Sequence, residues 1–260
     1  MFIHLKELIK FRELLFAFTN REIKVRYKQT LLGASWAVIQ PLSLMIMFTL
    51  IFGFFLKINS EGVPYPLFYY SALMPWTFFA TSISFGSLAV INNGNLVTKI
   101  YFPREILPFA SIIAGFMDFL ISALIFIVML VIYNVPLTIN VVYTIPIVFL
   151  ETIFIAGLIL FTSALNVMWR DIKFVIPLLI QLWIFVTPVI YPLSKVPEKF
   201  RPFYMLNPMS SVVENFRKVT VGGLAPNWND FAIALGISLI LFIFGYKFFK
   251  IKEKVFADVI

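Results

Sequence analysis

The sequence predicts an all-α, polytopic membrane protein with six transmembrane helices, and three observations carry that reading. No charged side chain occurs between Lys28 and Lys57, nor between Glu61 and Lys99, and long gaps recur toward the C-terminus. Apolar runs of roughly 18 residues or more read as bilayer-crossing helices, because in hydrocarbon every backbone amide must be satisfied within its own helix. Composition agrees: 61% of residues are hydrophobic and 13% are charged, against roughly 25% charged in soluble domains. Finally, the basic residues sit in short segments flanking the apolar runs, which is how membrane topology is written.

Taken in order, the spans read as 32–57, 66–91, 106–132, 141–168, 174–193 and 230–249. At about 1.5 Å rise per residue each can cross a hydrocarbon core of about 30 Å. An even number puts both termini on one face, where most of the 21 Lys and Arg collect. The positive-inside rule then places both termini in the cytoplasm. The 260 residues leave no room for a second soluble domain, so a single membrane domain over 1–260 is expected.

Residues 1–30 read as cytoplasmic interface helices. Leu5, Leu8, Ile9 and Phe16 share a face opposite Lys6, Lys10 and Glu13, which suits a helix lying in the membrane interface. Thr19 and Glu22 form a capping box, with Phe18 and Ile23 as its hydrophobic staple, so a second helix is expected to start there. Asn92, Asn93, Gly94 and Asn95 break the second span. A short cytoplasmic segment is expected over 94–105, with Pro103 and Pro108 stiffening the approach to the third span.

Between spans five and six, 194–229 is proline-rich and less regular. Asn207-Pro208 reads as an N-cap followed by proline at the first helical position. Met209, Val212, Val213 and Phe216 then face one way, Glu214, Arg217 and Lys218 the other, and Gly222-Gly223 ends the helix. Too short and too charged to span, this helix is expected to be re-entrant on the outer side.

Whole function classes fall away on composition. Cysteine is absent and His4 is the single histidine, which leaves no thiol nucleophile and little for a metal cluster or a Ser-His-Asp arrangement. No metal or cofactor is expected on the chain. It holds no G-x-x-x-x-G-K-[ST], so it cannot cradle ATP phosphates in a P-loop. The net charge of +8 is dispersed among loops, which argues against a nucleic-acid partner. The first 28 residues are too charged for a signal peptide, so the first span is expected to remain in the mature protein. No internal repeat marks an inverted-repeat secondary transporter.

Asp118 and Glu151 are the ionisable residues well inside expected spans, and a carboxylate at the bilayer centre costs roughly 2.5–3.5 kcal/mol. Asp118 continues a stripe of Ser111, Gly115 and Ser122, the mark of a helix-packing face. No lysine or arginine lies at matching depth to pair with either acid. The two readings are a proton or cation relay and, more plainly, protonated acids bonded across helix interfaces. Aromatic residues make up 18% of the chain. Trp36, Phe48 and Phe52 with Gln40 in the first span, and Trp183, Phe185 and Tyr191 in the fifth, are candidates to line a pathway or gate. Aromatic faces give a sugar chain a flat apolar platform, although lipid contact and core packing explain most such residues.

Five stretches, in order, resemble one family. Leu31-Leu32-Gly33-Ala34-Ser35-Trp36 with Gln40-Pro41-Leu42 is similar to the start of the first span in type-2 ABC exporter permeases. The run Lys99-Ile100-Tyr101-Phe102-Pro103-Arg104-Glu105-Ile106-Leu107-Pro108 resembles their loop between spans two and three, and Arg170-Asp171-Ile172 the short cytoplasmic loop before span five. Thr187-Pro188-Val189-Ile190-Tyr191-Pro192 and Asn207-Pro208 complete the pattern. The resemblance is strongest to permeases that export O-antigen, capsular polysaccharide and teichoic acid.

It implies a homodimer in the bacterial inner membrane, paired with two copies of a separate ABC ATPase that holds the ATP and magnesium. It also implies that 94–105 is a cytoplasmic coupling or gate helix, whose Lys99, Tyr101, Phe102, Pro103, Arg104 and Glu105 would couple to that ATPase. Spans one and five would line the pore for a lipid-linked polysaccharide. The remaining alternatives are a permease of the same type for another lipid or drug cargo, and a proton-coupled carrier using Asp118 and Glu151. A membrane-embedded glycosyltransferase is the enzyme alternative.

Overall fold

Apolar periodicity without interruption builds helices here, and in the computed structural model every regular element among the described residues, 10–27, 33–58 and 60–259, is helical. Helix α1 spans Arg12–Tyr27 without a break. The helix start expected at Thr19 is absent: Thr19 is buried mid-helix and its Oγ1 donates to the Leu15 carbonyl at 2.9 Å. That back-bond engages the hydroxyl a cap would have turned to a free amide, and nothing before Thr19 breaks the chain. Leu5, Lys6, Leu8 and Ile9, which carry much of the expected interface face, lie outside the described residues.

Helix α2, Trp36–Phe48, contains Pro41 and widens into a π-helical segment, Thr49–Phe55. Helix α3, Tyr65–Gly86, starts on a proline-bearing first turn. A turn at Ile91–Asn93 then leads into α4, Gly94–Lys99, so that the pair is bent by 47°. The coupling segment expected as a helix over 94–105 is therefore helical only in its first half. Ile100 is extended, and the chain re-enters helix at α5, Ile106–Ile132. A 3-10 turn, Ile139–Tyr143, leads into α6, Thr144–Met168, and α7 covers Ile172–Trp183. Short α8, Arg201–Met205, precedes α9, Pro208–Thr220; then follow α10, Trp228–Lys252, and the terminal turn α11, Phe256–Val259.

Among the described residues, four helical stretches are long and apolar enough to cross a membrane: Trp36–Phe55, Ile106–Ile132, Ile139–Met168 and Trp228–Val255, with the bent α3–α4 pair as a fifth. The span expected over 174–193 is instead a shorter apolar helix, Ile172–Val186. It ends early because Thr187 turns extended, at φ −118° and ψ 134°, as the residue ahead of Pro188 must.

The core is organised around α3, whose Leu67, Phe68, Tyr70 and Phe79 are wholly buried against α5, α6 and α9. The small-residue stripe on α5 is a packing face as expected: Ser111 and Ser122 are buried, and a side chain at Gly115 would meet Ser82 of α3. The α6–α10 seam is closer still. A Cβ at Gly157 would lie 2.7 Å from the Phe242 backbone nitrogen, and one at Gly245 would strike Gly157 itself. Two helices that approach backbone to backbone gain dispersion contact that no larger residue permits. Burial is uneven: 50% of the α6 window is buried but only 6% of the α2 window.

Gly157→Val should cost about 1–3 kcal/mol by overpacking, read as a lowered thermal unfolding temperature of the purified protein in detergent. Gly236→Val, where a Cβ meets nothing within 4 Å, should change it little.

Candidate functional site

Three polar joints stand out in this apolar molecule, one at each level of the fold. The first binds α1 to α5. Arg26, in the last turn of α1 and only 6% exposed, places a guanidinium nitrogen 2.6 Å from Asp118 Oδ2. Tyr27 donates its hydroxyl to Asp118 Oδ1 at 2.5 Å. Burial, and then Asp118 itself, push the Tyr27 phenol above its ordinary range, so it remains a donor. The Arg26 guanidinium also lies 4.3 Å from the Phe85 ring centroid, a geometry that offsets part of its desolvation. The expectation that no cation pairs with Asp118 is thus corrected. The partner comes from the N-terminal helix, which packs along α5, rather than from a neighbouring span.

This joint walls a cavity of about 230 Å³ that also takes in Trp36, Gln40, Thr81 and Ser122. Trp36, Gln40 and Asp118, singled out separately in the sequence, are here brought to one chamber. Glu151 is different: it is fully buried on α6, and neither carboxylate oxygen finds a hydrogen-bond partner among the described residues. The expected bond across a helix interface is not formed there.

At the second joint, the segment that follows α4 meets the end of α10. Tyr101 is 88% exposed and projects from the protein with Ile100, while Phe102 turns inward onto Phe18 of α1, ring centroids 5.9 Å apart. Lys99 is exposed, Pro103 buried and Arg104 half-buried. Glu105 is fully buried and meets Lys250 Nζ at 2.7 Å; Lys250 also meets Glu253 at 2.9 Å. Arg104 donates to the Glu253 backbone carbonyl. A cavity of about 580 Å³ opens between this loop and Lys250, Glu253 and Lys254. The six expected coupling residues therefore divide into an exposed knob and a buried anchor. Arg170 and Asp171 are exposed at the start of α7, where Asp171 caps through its carbonyl to Phe174 N–H at 2.9 Å rather than through its side chain.

The third joint centres on α9. Asn207 caps it as expected, its Oδ1 accepting from Met209 N–H at 3.1 Å and also from Trp183 Nε1 at 3.1 Å. Met209, Val212, Val213 and Phe216 are buried, again as expected. Arg217, expected on the face opposite these apolar residues, is buried as well. It pairs with Glu214 at 2.8 Å, lies 3.8 Å from the Phe68 ring centroid and donates to the Pro188 carbonyl at 2.9 Å. The Thr187-Pro188 break that shortens α7 is what frees that carbonyl.

The aromatic candidates separate by environment. Phe48 stacks on Phe52 at 5.5 Å and on Tyr69 at 4.8 Å, and Trp183 sits edge-on to Phe79 at 5.3 Å, so these three candidates are packing residues in the single chain. Phe185 is 61% exposed. Tyr191 donates to the Phe185 carbonyl at 2.6 Å and faces the Tyr204 hydroxyl at 2.9 Å. Arg26, Tyr27, Lys250 and Glu253 were not anticipated. The one usable signal for them was position, since each lies within a turn or so of a helix end adjoining an apolar run.

Residues 13–221 match the ABC-2 type transporter family. The chain is similar to the O-antigen export system permease protein RfbA of Myxococcus xanthus, 29% identical over 255 residues that cover 97% of each chain. It is 28% identical to an RfbA of Klebsiella pneumoniae over 95% of each. It is 23% identical to the polysialic acid transport protein KpsM of Escherichia coli, over 90% of this chain and 91% of that one.

Arg26→Gln should destabilise the protein by roughly 2–4 kcal/mol, because it leaves the Asp118 carboxylate without its cation. Adding Asp118→Asn should recover most of that loss. Thermal unfolding of the two variants in detergent checks the ordering, and an unchanged single variant would contradict it.

Proposed function

Because this chain belongs to the ABC-2 type transporter family, we propose that it is the membrane permease of an ATP-driven exporter of lipid-linked, O-antigen-like polysaccharide, in a bacterial inner membrane. The observation that carries the reading is similarity over nearly the whole chain to proteins named for O-antigen export and polysialic acid transport. The chain brings no P-loop. ATP and magnesium then belong to a separate ABC ATPase, two copies of which serve two copies of this chain.

In this reading the six expected spans are the five long stretches together with the short apolar helix Ile172–Val186. Both termini are cytoplasmic, α1 lies at the inner interface and α9 is re-entrant on the outer side. The loop of Lys99, Tyr101, Phe102, Pro103, Arg104 and Glu105 receives the ATPase. Tyr101 and Ile100 supply an exposed apolar knob, and the buried Glu105 ties that knob to the bundle. A knob anchored on a rigid base transmits displacement, whereas one on a slack loop dissipates it.

The pathway runs along the seam of the dimer, where α2 and α7 expose most of their surface in the single chain. Trp36, Gln40, Phe185 and Tyr191 stand on or beside those faces. The ion pair at Asp118 weighs against a carrier that uses this residue, since its two carboxylate oxygens are already engaged by Arg26 and Tyr27.

The purified chain alone should hydrolyse no ATP, and an ATPase subunit should co-purify with it from its own host. Robust hydrolysis by the isolated chain would overturn the assignment. Tyr101→Ala should weaken co-purification by about tenfold or more, the loss expected of an aromatic anchor. Cells lacking the protein should accumulate lipid-linked glycan on the inner face, and unaltered surface glycan would point to another lipid or drug cargo.

A further inference from the structure

Helix α10 is held at both ends by polar bonds to parts that do not span. At its cytoplasmic end, Lys250 in the last turn meets Oε2 of the fully buried Glu105, the residue from which α5 starts. A carboxylate at the start of one helix and an ammonium at the end of another also suit both helix dipoles. Glu253 grips the same loop from below: its Oε1 accepts the Arg104 backbone N–H at 3.3 Å, and its carbonyl accepts the Arg104 guanidinium. Phe256 and Phe249, both fully buried, pack edge-on at 5.3 Å and carry the C-terminal turn onto α4.

At the outer end, Asn227, the N-cap of α10, donates its backbone N–H to Asn215 Oδ1 of α9 at 2.6 Å. Asn215 is buried and its amide is held by Ser211 at 3.1 Å. Between these two joints runs a proline-free helix of 25 residues, about 37 Å at 1.5 Å per residue. Its middle is pressed against α6 at Gly157 and Gly245. A helix with no internal proline to kink it, fixed at both ends and packed against a neighbour, moves as one body.

We propose that α10 is a transmission rod. A displacement of the 100–105 loop passes through Lys250 and Glu253 into α10 and is delivered through Asn227 and Asn215 to α9, the helix that occupies the outer end of the bundle. The cytoplasmic stroke and the outer opening are then coupled by a single element rather than by successive rearrangement of every span. Lys250, Glu253 and Asn215 are positioning residues, touching neither cargo nor nucleotide. The inference rests on the reading that this loop receives the motor's stroke.

The test uses the permease–ATPase complex in proteoliposomes, with glycan translocated and ATP hydrolysed measured on the same sample. Lys250→Glu should lower glycan moved per ATP by at least about fivefold, and joining it with Glu105→Lys should restore most of the ratio. Asn215→Ala, at the far end from the motor, should lower the same ratio while the ATPase still co-purifies. Combining Asn215→Ala with Lys250→Glu should add little beyond the larger single loss, because both interrupt one rod.

A wild-type ratio in Asn215→Ala overturns the proposal, as does a charge-swapped pair that assembles yet stays uncoupled. Where Lys250→Glu fails to fold, Asn215→Ala decides alone. A chain that co-purifies with no ATPase defeats the assignment of function instead, which separates the two failures.

Discussion

A charge removed from water must find a countercharge, and in this apolar chain that requirement decides where the non-spanning parts attach. Three ionic joints meet it: Arg26 with Asp118, Lys250 with Glu105, and Arg217 with Glu214. In the first two, a segment outside the core helices supplies one partner and a long helix the other. At the third, a pair within α9 also reaches back to the Pro188 carbonyl and the Phe68 ring. Each joint costs desolvation that a hydrophobic contact would avoid. What it provides is a unique docking position, because a displaced ion pair in apolar surroundings has no second-best partner. The apolar contacts alone would let α1 slide along α5 with little penalty.

Those positions determine which parts can move together. The N-terminal helix is bound to α5, the 100–105 loop to both α5 and α10, and α9 to α3 and α10. The glycine seam makes α6 and α10 a single unit. In contrast α2, with 6% of its window buried, is held on one side only and softened by Pro41 and a π-helical segment. π-Turns and prolines are where helices bend. The molecule therefore combines a braced frame with one loosely held apolar helix, an arrangement suited to a gate that moves against a fixed wall.

The apolar elements were legible in the sequence because hydrophobic length is a local property. Ile106–Ile132 was bounded correctly from the apolar run and its flanking charges, and α9 from Asn207-Pro208 and its periodicity. Local patterns failed where a local signal competed with a distant one. Thr19 carried a cap signature that an uninterrupted helix overrode, and Thr187-Pro188 cut short a run whose hydropathy continued. The ionic joints were illegible for a different reason. Arg26 and Asp118 are 92 residues apart, and Lys250 and Glu105 are 145 apart. No spacing rule links such pairs. Their meeting is set by how helices pack, and the burial of Arg217 against Phe68 and Pro188 was illegible for the same reason.

Burial alone does not argue for a two-fold seam at α2, since lipid tails are as apolar as leucine and an exposed apolar helix is content among them. Gln40 does argue for it. Its amide lies on an exposed face of α2, beside a chamber that contains Arg26, Asp118 and Thr81. An amide turned to hydrocarbon without partners costs several kcal/mol by the harshest transfer scales, roughly 4–8. A chain that pairs Arg26, Lys250 and Arg217 with carboxylates gains nothing by turning an amide toward lipid. Water or a second protein surface removes that cost, and a polysaccharide pathway between two copies supplies both. The same amide that would be a defect against lipid becomes an asset beside a hydrated sugar chain, and that inversion supports the proposed seam between two copies.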